Sequence, residues 1–102
     1  MGHKVIWTDE AVADLRQLVN YIARDNPVAA VNLGEELIRK SLLLSEHPRL
    51  GRMLRNTKRD DLRELIVRPY RLIYEIKDET ATVNVRALWH GARQEPDTFP
   101  RL

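Results

Sequence analysis

The residues best equipped for chemistry gather late in the chain. Residues 49–74 hold eight basic and three acidic side chains, so this segment outweighs the whole net charge of +2. Such a block suits a phosphate-binding face, a docking site for an acidic partner, or a solvated surface. Its geometry follows from two turn signals. With Arg68-Pro69 and Asp78-Glu79 each at the centre of a tight hairpin, Val67 faces Tyr70 and Leu65 faces Leu72. Across the second hairpin Tyr74 faces Val83, Leu72 faces Val85 and Tyr70 faces Ala87. Opposed residues share a face and sides alternate along each strand. Arg71 then lies directly opposite Arg86, with His90 further along the same side. Like charges so opposed are destabilising unless something anionic sits beside them. The register therefore predicts a cationic open face on a sheet, for which Glu64, diagonal to Arg71, offers a plain ion pair instead.

Other chemistries find little support. His3, His47 and His90 are dispersed, without ligand spacing, and no metal site is expected. Gly2, Gly34, Gly51 and Gly91 are isolated, so no glycine-rich phosphate loop exists, and no cofactor is expected. Ser41 and Ser45 fall within a helical pattern without a nucleophile elbow. The chain has no cysteine, which excludes disulfides and thiolate chemistry and suits a cytoplasmic location. No apolar run approaches the roughly 20 residues of a membrane helix.

The elements that must position these residues are legible as pattern. The chain has 102 residues, read as one domain over 1–102. Val5-Ile6-Trp7 reads as a short strand. Thr8 is a candidate N-cap, followed by two acids in a first helical turn. Ala11, Leu15, Leu18 and Ile22 continue an amphipathic helix to about Arg24. Asn26-Pro27 opens a second helix through Leu33, Leu37 and Ile38 to about Glu46, where His47-Pro48 ends it. Ala30, Gly34 and Ser41 on its apolar side would let two helices approach closely. Residues 49–59 read as loop or irregular edge strand. Residues 62–68, 70–76 and 80–89 read as strands, and 91–102 as an irregular tail. One sheet face, with Leu65, Val67, Tyr70, Leu72, Tyr74, Ile76, Val83, Val85, Ala87 and Trp89, reads as core. The opposite face holds Glu64, Ile66, Arg71, Ile73, Glu75, Asn84, Arg86, Leu88 and His90. The expected fold is α+β, an antiparallel helix hairpin packed on one face of a small, mainly antiparallel sheet.

Several segments, in this order and spacing, resemble the RelE/ParE superfamily, the toxin halves of bacterial toxin–antitoxin pairs. They are Trp7-Thr8 with Ala11 and Asp14-Leu15, then Glu46-His47-Pro48 with Gly51. Leu62-Arg63-Glu64-Leu65 leads into Pro69-Tyr70-Arg71-Leu72-Ile73-Tyr74-Glu75-Ile76, and Val85 to Trp89 into His90-Gly91-Ala92-Arg93. The resemblance spans nearly the whole chain and implies the fold just derived.

It also implies two possible activities. RelE-like members are ribosome-dependent messenger-RNA endonucleases, metal-free, which must stabilise phosphorane charge and move protons at the 2′- and 5′-oxygens. On that pattern Arg71 and Arg93 take phosphate-stabilising or acid roles, and His90 substitutes as acid or base. Arg63, Arg71, Arg86, His90, Arg93 and Phe99 would face nucleic acid or antitoxin. Two positions depart from the RelE-like pattern. Its two lysines before the central arginine are replaced by Leu62-Arg63-Glu64, and its late tyrosine by Phe99. ParE-like members instead poison DNA gyrase, and the His47-Pro48…Gly51 and His90-Gly91-Ala92-Arg93 segments resemble them more. Both branches imply a cognate antitoxin as first partner, with operator DNA bound only through it. An inactivated toxin fold serving as a binding module is the reading from a different class.

Overall fold

A computed structural model describes residues 2–55 and 57–90. Arg93, Phe99 and the rest of the tail expected to be irregular lie outside these residues.

Strand β1 (Lys4–Trp7) runs into helix α1 (Asp9–Ala23) and helix α2 (Pro27–Leu42), which a 3-10 turn, Leu43–Ser45, extends. Strands β2 (Arg52–Met53), β3 (Leu62–Val67), β4 (Tyr70–Lys77) and β5 (Thr82–His90) follow. The sheet order is β1-β5-β4-β3-β2. β1 pairs with β5 in parallel and every other pairing is antiparallel. The expected irregular edge strand is thus β2, only two residues long.

Local chemistry sets the helix boundaries. The Thr8 hydroxyl accepts from the Ala11 amide at 3.2 Å and donates to the Val85 carbonyl at 3.0 Å, so one side chain both caps α1 and ties it to β5. Asn26 accepts from the Ala29 amide at 3.0 Å, with Pro27 at the first position of α2. Gly34 faces Val19 of α1, where an added Cβ would already touch the valine at 3.4 Å. Ser41 is fully buried and satisfied: it donates to the Ile38 carbonyl and accepts from the Trp7 indole at 3.1 Å.

The hairpin covers one face of the sheet. Ala11, Leu37 and Leu44 pack there on Val67, Tyr70, Leu72, Tyr74, Ile76, Val83 and Val85. Each large aliphatic side chain so buried contributes about 1.5–3 kcal/mol.

The β3–β4 register is the expected one, with Val67 opposite Tyr70 and Leu65 opposite Leu72. The β4–β5 register differs twice. Ile76 faces Val83 rather than Ala81, because Asp78–Thr80 forms a 3-10 turn closed by Ala81 in the left-handed region at φ 51°. A shift of two residues preserves the faces. The second difference does not. A bulge beside Ile73 and Tyr74 pairs Tyr74 with Val85 but Ile73 with Ala87, leaving Arg86 as the extra residue. Beyond it inside and outside exchange. Leu88 and His90 turn to the helix side, while Ala87 and Trp89 turn to the open face. Ala87 joins a second small cluster there with Leu54, Leu62 and Ile73.

Candidate functional site

The bulge dissolves the expected constellation. Arg71 faces Trp89 instead of Arg86, and His90 faces Tyr70. Arg71 and His90 therefore stand on opposite faces of the sheet. Arg63, on the strand before, stands off the open face. It sits opposite Tyr74 and donates to the carbonyls of Gly51 and Asp60, each at 2.9 Å. It braces a loop rather than presenting a guanidinium.

On the open face the arginines are matched by two carboxylates. Glu64 is only 2% exposed, accepts from Arg71 at 2.9 Å and is ion-paired with Arg52 at 3.3 Å. The Arg71 side chain is itself 11% exposed. Glu75, also buried, takes Arg86 at 2.8 Å, Arg59 at 2.9 Å and Lys77 at 3.8 Å. The anion that opposed cations require is thus intramolecular, and the expected cationic face is an interleaved ion-pair layer. The diagonal pairing of Glu64 with Arg71 is the one that forms.

Glu75, Arg52 and Arg59 are structural partners that the sequence reading did not single out. Glu75 was legible as a strand residue on that face. Arg59 arrives from an irregular segment whose path has no periodic signature.

Toward the helix side, a groove of about 910 Å³ lies between α1 and the ends of β4 and β5. Asp14, Gln17, Tyr21, Tyr70, Leu88 and His90 line it. The His90 and Tyr70 rings meet edge to face, centroids 5.3 Å apart at 89°. Asp14 holds the strand end that the bulge has turned inward, accepting from the Leu88 amide at 3.0 Å. The Asp14-Leu15 motif thus ties α1 to β5.

The third locus is the loop after α2. The buried Tyr74 hydroxyl donates to the Pro48 carbonyl at 2.7 Å and accepts from the Gly51 amide at 2.9 Å. A Cβ on Gly51 would collide with the Glu64 carbonyl and stand 2.7 Å from the Tyr74 oxygen. The His47-Pro48…Gly51 motif therefore records a close approach of loop to sheet. Burial pushes the Tyr74 hydroxyl above its ordinary 10.0, keeping it a proton donor. Among the described residues no group of histidines and acids forms a metal site, and no helix is long and apolar enough to cross a membrane.

A strand, a helix hairpin and a five-stranded mixed sheet define a RelE/ParE-like toxin fold. The chain belongs to the family described as the ParE toxin of type II toxin–antitoxin systems, which it matches over residues 5–95. It is 35% identical over 91 residues to Toxin RelE2 of Caulobacter vibrioides, covering 88% of this chain and 97% of that protein. Among solved structures it is similar to the chromosomal ParDE system of P. aeruginosa, with TM-score 0.71 and 16% identity over 86% of this chain and 95% of that one. The RelBE2 toxin–antitoxin complex of Mycobacterium tuberculosis gives TM-score 0.67 at 26% identity, covering 88% and 99% of the two chains. The isolated RelE toxin of E. coli gives 0.65 at 24%, covering 91% and 88%.

Proposed function

We propose that this chain is the toxin of a type II pair that arrests growth by ParE-like poisoning of DNA gyrase in the cytoplasm, and that a cognate antitoxin silences it. Operator DNA is then bound by the complex, through the antitoxin. The observation that supports the ParE-like branch is the Glu64–Arg71 pair. Cleaving RNA without a metal requires a guanidinium aimed at the developing phosphorane charge. Here the central-strand arginine donates into a buried carboxylate, and that carboxylate would repel a phosphate.

The 35% identity with Toxin RelE2 supports the second reading, a ribosome-dependent messenger-RNA endonuclease. In it Arg71, Arg93 and His90 are catalytic, and the opposite placement of Arg71 and His90 weighs against that division of labour. Purified chain added to gyrase decides between them. Lost supercoiling with trapped cleavage complexes, and intact messenger RNA on translating ribosomes, is the expected result. Cleaved message with unimpaired gyrase would overturn the proposal in favour of the endonuclease. A chain that leaves growth unaffected would overturn both and favour a binding module.

A further inference from the structure

Helix α2 has a second apolar side that the described residues leave exposed. Its core-facing positions are Ala30, Leu37 and Ser41. Steps of three and four residues also connect Val28, Val31, Glu35, Ile38 and Leu42, a single row along a helix. The four apolar members of that row are between 44% and 70% exposed. The row spans roughly 21 Å at 1.5 Å per residue. Isolated exposed aliphatics are ordinary, but four aligned at heptad spacing form the seam of a helix–helix contact.

Glu35 stands in the middle of this row and is exposed. Its charge discriminates among occupants. Covering it with an apolar helix would strip a carboxylate of water without compensation. In a second copy of this chain, the registers that match apolar to apolar set Glu35 against Glu35, which is repulsive. A partner helix carrying a cation at its midpoint satisfies both demands. Arg39 and Lys40 in the last turn of α2 favour acids on the partner toward that end.

We propose that the outward row of α2 seats an amphipathic helix of the antitoxin, with a lysine or arginine midway along its apolar face meeting Glu35. This rests on the toxin–antitoxin reading and adds to it the surface and the charge that select the partner. A segment that folds as it binds gains its apolar contacts along the row, and the Glu35 contact fixes its register.

The test uses the antitoxin encoded beside this gene, purified, and its affinity for the full chain. A Val31→Asp, Ile38→Asp double variant, shown folded by circular dichroism, should lose at least about a hundredfold in affinity. Glu35→Lys should lose about tenfold, with recovery when the antitoxin cation is changed to glutamate. Wild-type affinity in the double variant, or indifference to Glu35→Lys, overturns the proposal. So does a chain dimer that the double variant abolishes while antitoxin affinity holds, since the row then belongs to a second copy. Growth arrest by the wild-type chain and its relief by antitoxin report separately on the toxin reading. Arrest and relief alongside unchanged variant affinities would sink the docking site alone.

Discussion

Glu64 has two guanidinium partners and almost no water, so its charge is costly to replace. A buried ion pair contributes little over a well-packed apolar pair, but removing one member strands the other. Glu64→Ala should therefore destabilise the chain by about 3–5 kcal/mol, read from urea unfolding. A loss well under 1 kcal/mol would mean that Arg71 finds solvent when released. Arg71→Ala disturbs the Glu64 site, so its stability must be measured beside its activity. Tyr74→Phe is a cleaner probe, since it removes one oxygen and leaves the Pro48 carbonyl and the Gly51 amide without that partner. A cost of about 1–3 kcal/mol is expected in thermal or urea melts. An unchanged melt would show that the loop's other ties, those of Arg63 and Arg49 among them, suffice to hold it.

Among the elements, α1 shows how local chemistry and tertiary contact share a residue. Thr8→Ala removes both the cap and the bond to the Val85 carbonyl. About 1–2 kcal/mol should be lost, at the upper end of capping effects. Replacement by serine should restore most of it, and failure to do so would assign the loss to the threonine methyl instead. The caps at Thr8 and Asn26 were readable because a cap depends on residues within one turn of each other. The β3–β4 hairpin was readable for the same reason. The turn after β4 was misjudged by two residues, since Ala81 adopts a left-handed backbone that glycine or asparagine would have advertised. The bulge had no such marker. Arg86, its extra residue, is an ordinary strand residue by composition, and only the fit of Leu88 against α1 and of Ala87 against Ile73 reveals it. Arg71 and Arg86 keep the open face, but His90 leaves it, because its placement assumed unbroken alternation through that point.

At the scale of the molecule, side-chain hydrogen bonds join the segment before β1 to the turn after β4. Asp78 accepts from His3 at 2.9 Å and from Arg49 at 3.0 Å, while Arg49 also reaches Asp60 at 3.2 Å. Asp78 is held below its ordinary 3.8 by His3 first and Arg49 next, and Asp60 by Arg49 and then Arg63. A carboxyl depressed in the folded state contributes its full stabilisation above the unfolded value and loses it as pH falls through the folded one. These groups lie in water, so the effect is modest and salt-screened. Arg49→Ala should melt below wild type at neutral pH, with the gap closing as melts are repeated below 3.8. A gap unchanged in acid would assign Arg49 a non-electrostatic role. The bulge acts at this scale too, as a phase slip in an otherwise regular wave. Substitution edits one position at a time. A change of one residue in chain length at Arg86 instead transposes Ala87, Leu88, Trp89 and His90 together between groove and outer layer. The lining of the groove and the fabric of the outer layer are thereby written by a single length, and an insertion or deletion there is a route by which such a chain could exchange one surface for another while its helix hairpin stays as it is.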